Sequence, residues 1–256
     1  MEIFGEIGPV FLALAAVVGV LAGFVKGAVG FALPMIMISG LGSFLPPELA
    51  LAALIVPTVV ANIWQSMRDG LAAALESVRR FWVYTAITLV FIATSAQLVR
   101  VMPGWVFYLI LGVPVTAFAL AQLLGWRLVI RAEHRRRAEV MIASLAGFIG
   151  GLSGVWGPPT VAYLTALETP KAEQMRVQGV IYGAGSVVLL LSHLRSGVLN
   201  GQTLPLSVAM LVPCMIGLVI GYLAHDRMDQ ERFRRMTLAV LVVAGLNLVR
   251  RGLAGI

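Results

Sequence analysis

Lys26 is the only basic residue in either of two glycine-rich interruptions of this chain's apolar runs. A charge held at bilayer depth costs about 2.5–3.5 kcal/mol on insertion scales, so such a residue normally faces a cavity or a partner. No acidic residue shares its run, Pro9 to Leu45. An anion from outside the chain would supply the missing charge, and helix amides would add N–H donors. The alternative is a lysine whose long stem carries its charge to the surface. The second interruption, GLSGVWGPP from Gly151 to Pro159, holds Ser153, Trp156 and Gly157. Ser153, Trp156 and the Gly154 and Val155 amides could form one side of an anion site. Lys26, Gly30, Phe31 and Ala32 would form the other, with Phe31 against an apolar part of the ligand. Asn62 and Gln65 lie in the helix after the first interruption. Gln178, Tyr182 and Ser186 lie in the helix after the second, spaced by four so that they share one face. Hydrogen bonding between helices is the simpler role for such a stripe.

These residues need elements to hold them, and composition says which. The 256 residues are 59% hydrophobic and 12% charged, with mean hydropathy +0.93. A soluble domain carries about 25% charged residues. Several apolar runs reach 18 residues or more, enough to cross a bilayer as helices. The runs are continuously apolar, which excludes the alternation of a β-barrel. The fold class is therefore an all-α polytopic membrane protein in a lipid bilayer. The net charge of +7 sits in short loops, as membrane orientation requires, and implies no nucleic-acid partner. One cysteine, Cys214, gives neither a disulfide framework nor a metal motif. There is no nucleotide-binding loop and no sign of a cofactor. The acidic start MEIFGEIGP does not suit a cleaved signal peptide, so the first apolar run is expected in the mature protein.

The chain repeats. AGFVKGAVGFALP (Ala22–Pro34) and AGFIGGLSGVWGP (Ala146–Pro158) share six of thirteen positions at a fixed offset, and Pro46 matches Pro170 at the same offset. Two fused units follow, 1–126 and 127–256. Each opens with a broken run, Pro9 to Leu45 or Glu139 to Leu167. Three helices follow each: about Glu48–Ser66, Arg80–Val99 and Gly104–Gly125, then Met175–Leu194, Thr203–Ala224 and Phe233–Val249.

Each broken run either crosses the bilayer, giving eight crossings, or turns back as a re-entrant hairpin, giving six. Eight crossings divide the loop Lys and Arg residues 11 to 7 between the faces, whereas six with two hairpins divide them 14 to 4. The positive-inside rule prefers the second. Equivalent loops also carry opposite biases, as two inverted repeats would. Glu139 to Gly151 is 13 residues, about 20 Å of helix and too short to span. Both termini are then expected outside, in the periplasm, and the 126–138 loop in the cytoplasm. Broken backbone at membrane depth is tolerated only beside protein or a water-filled cavity. Two breaks in corresponding positions point to a transport site at the midplane.

At these two motifs, GAVGFALP and GGLSGVWGPP, the chain resembles the sulfite exporter TauE/SafE family. Members carry two related halves, each with a Gly-rich stretch before a proline near its start. The resemblance extends over most of the chain in spacing and helix count. It implies secondary transport of sulfite, sulfonates or related sulfur oxyanions across a bacterial-type inner membrane by alternating access. A homodimer is the expected assembly, and a proton or sodium is the candidate coupling ion. The first motif departs from the pattern: it is poor in glycine and carries Lys26 and Phe31, so a bulkier sulfonate fits the expectation as well as sulfite. Two rivals remain. An anion channel would differ only in flux coupling. The stretch GLSG also matches the Gly-x-Ser-Gly of rhomboid-type intramembrane proteases, with Ser153 as nucleophile and His193 or His225 as base. The duplicate of Ser153 is Val29, which favours binding over cleavage.

Overall fold

A computed structural model describes residues 8–42, 44–95, 104–126, 129–153 and 156–254. The described residues form ten α-helices, one short 3-10 turn and no strand. The first half contains α1 (Pro9–Val29), α2 (Leu33–Leu41), α3 (Pro47–Met67), α4 (Leu71–Ser95) and α5 (Gly104–Leu123). The second contains α6 (Arg135–Ser153), α7 (Gly157–Ala166), α8 (Lys171–Ser196), α9 (Leu204–Arg227) and α10 (Gln230–Ala254). Prolines open α1, α2, α3, α7 and α9, where a missing N–H costs no helical bond. Among the described residues five helices are long and apolar enough to cross a membrane: α1, α3, α8, α9 and α10. The chain is a multi-pass α-helical membrane protein.

α4 begins at Leu71, nine residues before the expected Arg80. The stretch LAAALESVR is built of strong helix formers, which hydropathy alone assigns to a loop. The helix kinks where this polar segment meets the apolar one, at Phe81 (φ −111°, ψ 18°).

Both broken runs turn back. Gly40 of α2 faces Val18 of α1, and Phe44 stacks on Phe11 with ring centroids 5.6 Å apart, so α2 returns alongside α1. In the second half the Ile130 amide, before α6, bonds the Ala166 carbonyl at the end of α7 at 2.9 Å. The arms are unequal: α1 has 21 residues and α2 has 9, α6 has 19 and α7 has 10. The expected short arm Glu139–Gly151 is corrected, because Arg135–Arg137 prolong the helix beyond the apolar zone. At about 1.5 Å per residue α6 reaches about 28 Å. The return arms, not the ingoing ones, are too short to span. The breaks coincide in the two halves: α2 starts at Leu33 and α7 at Gly157, the same offset that aligns Ala22 with Ala146.

Equivalent helices pair across the halves. Asn62 of α3 lies by Tyr182 of α8 and Gln65 by Met175, so α3 and α8 run antiparallel. Gly112 of α5 packs on Val249 of α10 and Gly252 on Leu109, again antiparallel. In contrast α1 runs parallel to α9, and α6 to α4, so each ingoing arm rests on the fourth helix of the other half. An inverted duplication would produce this pairing. The α1–α9 seam is the tightest. Gly23 abuts the Cys214 backbone, Gly27 abuts Leu218 and Gly221, and Gly217 abuts Val20 and Phe24. Helices lacking a hydrophobic drive in lipid associate through such small-residue contacts.

Ion pairs join the ends. Arg68 reaches Asp226 at 2.5 Å, Arg80 reaches Glu173 at 2.6 Å, and Arg176 reaches Asp69 at 3.0 Å. The turns 67–80, 170–176 and 225–230 thus share one end. Eight crossings would have put the first opposite the other two.

Two outcomes are expected. Gly23→Leu should lower thermal stability in detergent by about 1–3 kcal/mol or more, because overpacking here meets backbone instead of a movable side chain. Gly201→Leu, with open space around it, should leave the melting temperature unchanged. In a Cys214→Ser background, Glu133→Cys and Asp229→Cys should react with an impermeant thiol reagent from one side of the membrane and Asn200→Cys from the other. Labelling of Glu133→Cys together with Asn200→Cys would restore the eight-crossing arrangement.

Candidate functional site

The first break is made by two left-handed residues. Gly30 (φ 89°) ends α1 and Ala32 (φ 76°) precedes α2. Glycine adopts this conformation freely; alanine there costs about 1–2 kcal/mol. A Cβ on Gly30 would stand 2.7 Å from the Met175 sulfur and overlap Gln178, so glycine is required twice over. The second break reaches the same turn differently, since Trp156, the equivalent of Ala32, has φ −87°. The Trp156 ring is 3% exposed and lies against Gly150 and Gly185, which leave room for it.

Both breaks line one cleft. Its walls are Lys26, Phe31, Ala32, Pro34, Met35, Thr58, Asn62, Trp156, Gly157, Pro158 and Tyr182, around a cavity of about 30 Å³. Seven of these were expected from sequence: Lys26, Phe31, Ala32, Asn62, Trp156, Gly157 and Tyr182. Gly30 and Gln65 stand one layer behind, as partners of Lys26. Gln178 is fully buried against Gly30, and its side-chain amide has no hydrogen-bond partner among the described residues. Ser186 is turned to the Gly183 carbonyl at 2.9 Å. Gly154 and Val155 lie outside the described residues, as does the Ser153 side chain; its backbone closes α6.

Lys26 is 2% exposed. Its ammonium donates to Asn62 Oδ1 at 2.6 Å, Gln65 Oε1 at 2.7 Å and the Gly30 carbonyl at 3.3 Å. It also stands 5.7 Å from the centroid of the Tyr182 ring, within cation–π range. Every partner is neutral. The amides are oriented from behind. Asn62 Nδ2 donates to the Tyr182 carbonyl at 3.2 Å, and Gln65 Nε2 donates to the Met175 carbonyl at 2.6 Å. Their oxygens therefore face the lysine.

Across the cleft, hydroxyls tie down the second break. Tyr182 donates to the Gly157 carbonyl at 3.0 Å. Tyr84 donates to Thr160 Oγ1 at 3.0 Å, and Thr160 donates to the Trp156 carbonyl at 3.0 Å. Helix starts leave their first-turn amides without a helical acceptor. Pro34, Pro158 and Pro159 carry no N–H, so the first-turn donors left are those of Leu33, Met35 and Gly157, and of these residues Met35 and Gly157 line the cleft.

Thr58 was missed, although it precedes Asn62 by four residues and so shares its face. Tyr84 and Thr160 carry no comparable signal, because 76 residues separate them. Neither histidine of the protease alternative is among the described residues that line the cleft. His225 contacts Ala28 at 3.3 Å and Phe233, at the first hairpin. His193 is eight residues beyond Gly185, where Trp156 packs, about 12 Å along α8.

No curated protein and no solved structure matches the chain. The sequence model of the sulfite exporter TauE/SafE family matches residues 15–248, which takes in both breaks and every residue lining the cleft. The chain belongs to the sulfite exporter TauE/SafE family.

Proposed function

We propose that this protein is a secondary transporter that carries a sulfonate or sulfur-oxyanion substrate across a bacterial-type inner membrane, with the anion bound in the cleft between the two breaks. The observation that carries this is the meeting of both breaks and a buried, acid-free ammonium around one cavity. Lys26 supplies a positive charge in a low dielectric, where its field is little screened. The amides of Leu33, Met35 and Gly157 supply donors aligned with two helix dipoles. Phe31, Met35 and Trp156 offer apolar surface to the organic part of a sulfonate. Sulfite, smaller and more highly charged, would rely on the charge and amides alone.

The three protons of the Lys26 ammonium are already engaged. An entering anion therefore either displaces the longest bond, to Gly30, or acts on the charge through space. Ser153, Gly154 and Val155 would complete the wall beside Trp156, with Ser153 as a hydroxyl donor. Alternating access would move the two hairpins against α3 and α8, which hold Lys26 from the far side. The end closed by the Arg68–Asp226 and Arg176–Asp69 pairs would open during the cycle. With the 126–138 loop cytoplasmic and the termini periplasmic, that end faces the cytoplasm. A homodimer would give the moving hairpins a fixed neighbour.

Calorimetric titration of a panel of sulfite, short sulfonates and carboxylates against purified protein tests the substrate class. The best sulfonate should lose about ten- to a hundred-fold in affinity in Lys26→Met, the worth of one charge-assisted hydrogen bond. Lys26→Arg should keep part of the affinity. Equal affinity and equal uptake in wild type and Lys26→Met would remove Lys26 from the site.

A further inference from the structure

Asn62 Oδ1, Gln65 Oε1 and the Gly30 carbonyl converge on one point, and what stands there is the tip of Lys26. We propose that these three oxygens form a monovalent-cation site that the protein fills with its own tethered ammonium, in place of a free coupling ion such as sodium. The proposal rests on Lys26 serving the anion site described above, but its geometry stands without a substrate.

Three features make it a cation cage and not a set of incidental contacts. First, all three ligands are neutral oxygens, the donor type that hard monovalent ions and ammonium groups share. Second, neither amide is free to rotate. The Nδ2 and Nε2 groups are anchored on the Tyr182 and Met175 carbonyls of α8, so the oxygens remain presented whether or not a cation is there. Third, one ligand is backbone at the break, where α1 ends. Coupling ions are held in this way in transporters with broken helices. Gln178, fully buried and without a partner, stands against Gly30 from the α8 side and offers a further amide oxygen to an untethered ion.

The two halves differ at this point. The equivalent of Lys26 is Gly150, and that of Asn62 is Ser186, whose hydroxyl is turned to its own helix. The cage therefore belongs to the first break alone. A tethered cation cannot be exchanged with solution. Sodium has no place in the wild-type cycle, and the charge that meets the anion is permanently resident. Removing the tether should turn the site back into one that takes a free ion. Such an ion would approach from the end closed by the ion pairs when that end opens, because Gln65 also borders the cavity lined by Arg68, Asp69, Arg176 and Asp226.

The first arm of the test needs no substrate. Wild type, Lys26→Ala and Lys26→Met are melted in N-methylglucamine, sodium, potassium and methylammonium salts of one anion and equal ionic strength. A bound ion raises the melting temperature by mass action. Lys26→Ala should be stabilised by sodium or methylammonium over N-methylglucamine. Wild type should be indifferent, and so should Lys26→Met, whose side chain fills the space without presenting a charge. In a second arm, Lys26→Ala should bind the best sulfonate of the panel about tenfold more tightly in the stabilising cation than in N-methylglucamine. A cation response in the melting of wild type or Lys26→Met as large as that of Lys26→Ala overturns the proposal. So does an indifferent Lys26→Ala, or a Lys26→Ala that cannot be recovered in any of these cations while Lys26→Met can. A cation response in melting with no effect on sulfonate binding would keep the cage and sink the anion site beside it.

Discussion

Everything here depends on one constraint: in hydrocarbon, an unwound backbone and a buried charge must find their partners inside the protein. The first break places two left-handed residues and an ammonium in the same few ångströms. Each alone would be destabilising. Together they satisfy one another. The Gly30 carbonyl, freed by the end of α1, accepts from both Lys26 and Gln65, so the charge and the break are solved by the same amide. This explains why α3 and α8 sit at the centre of the molecule. They carry Asn62, Gln65, Met175 and Tyr182, the groups without which neither the break nor the lysine could be buried.

The glycine seam between α1 and α9 serves the same constraint from behind. For Lys26 to reach α3, α1 must be held rigidly at its inner end. Gly23, Gly27, Gly217 and Gly221 let the two backbones touch, leaving no room for side chains to yield. The second hairpin is held differently. Trp156 fills the space left by Gly150 and Gly185, and a chain of hydroxyls from Tyr84 through Thr160 secures its backbone. A duplicated frame thus carries two chemistries, charge at one break and an aromatic with hydroxyls at the other.

The frame was legible in the sequence because its signals are local. Apolar runs gave the helices, and the two glycine-rich motifs marked where both runs break. The ion pairs joining 67–80 to 170–176 and 225–230 are the structural counterpart of the charge bias in the loops. Much of the cleft was legible too, since Lys26 without an acid and a polar stripe at helical spacing both need an explanation in an apolar chain. The start of α4 was not, because hydropathy cannot tell a polar helix from a loop. Nor were the partners of Lys26: an acid was sought, and amides answered. Asn62 and Gln65 stood out as polar residues in an apolar helix, but that amides 36 and 39 residues away would meet Lys26 is not legible until the fold brings them to one point.

Neutral partners also fit the chemistry of transport better than an acid would. A carboxylate beside Lys26 would cancel its charge and compete with every incoming anion. Amide oxygens stabilise the ammonium yet leave the net charge of the cleft positive. They also leave the site poised. The ammonium is held firmly enough to be buried, and its longest contact, 3.3 Å to Gly30, is the one an anion could most easily take over. That contact is to the break itself. An anion that drew Lys26 away from Gly30 would loosen the turn between α1 and α2, where the proposed hairpin motion would begin. Substrate binding and hairpin motion would then be linked through a single carbonyl, with no need for a longer path between the site and the moving part.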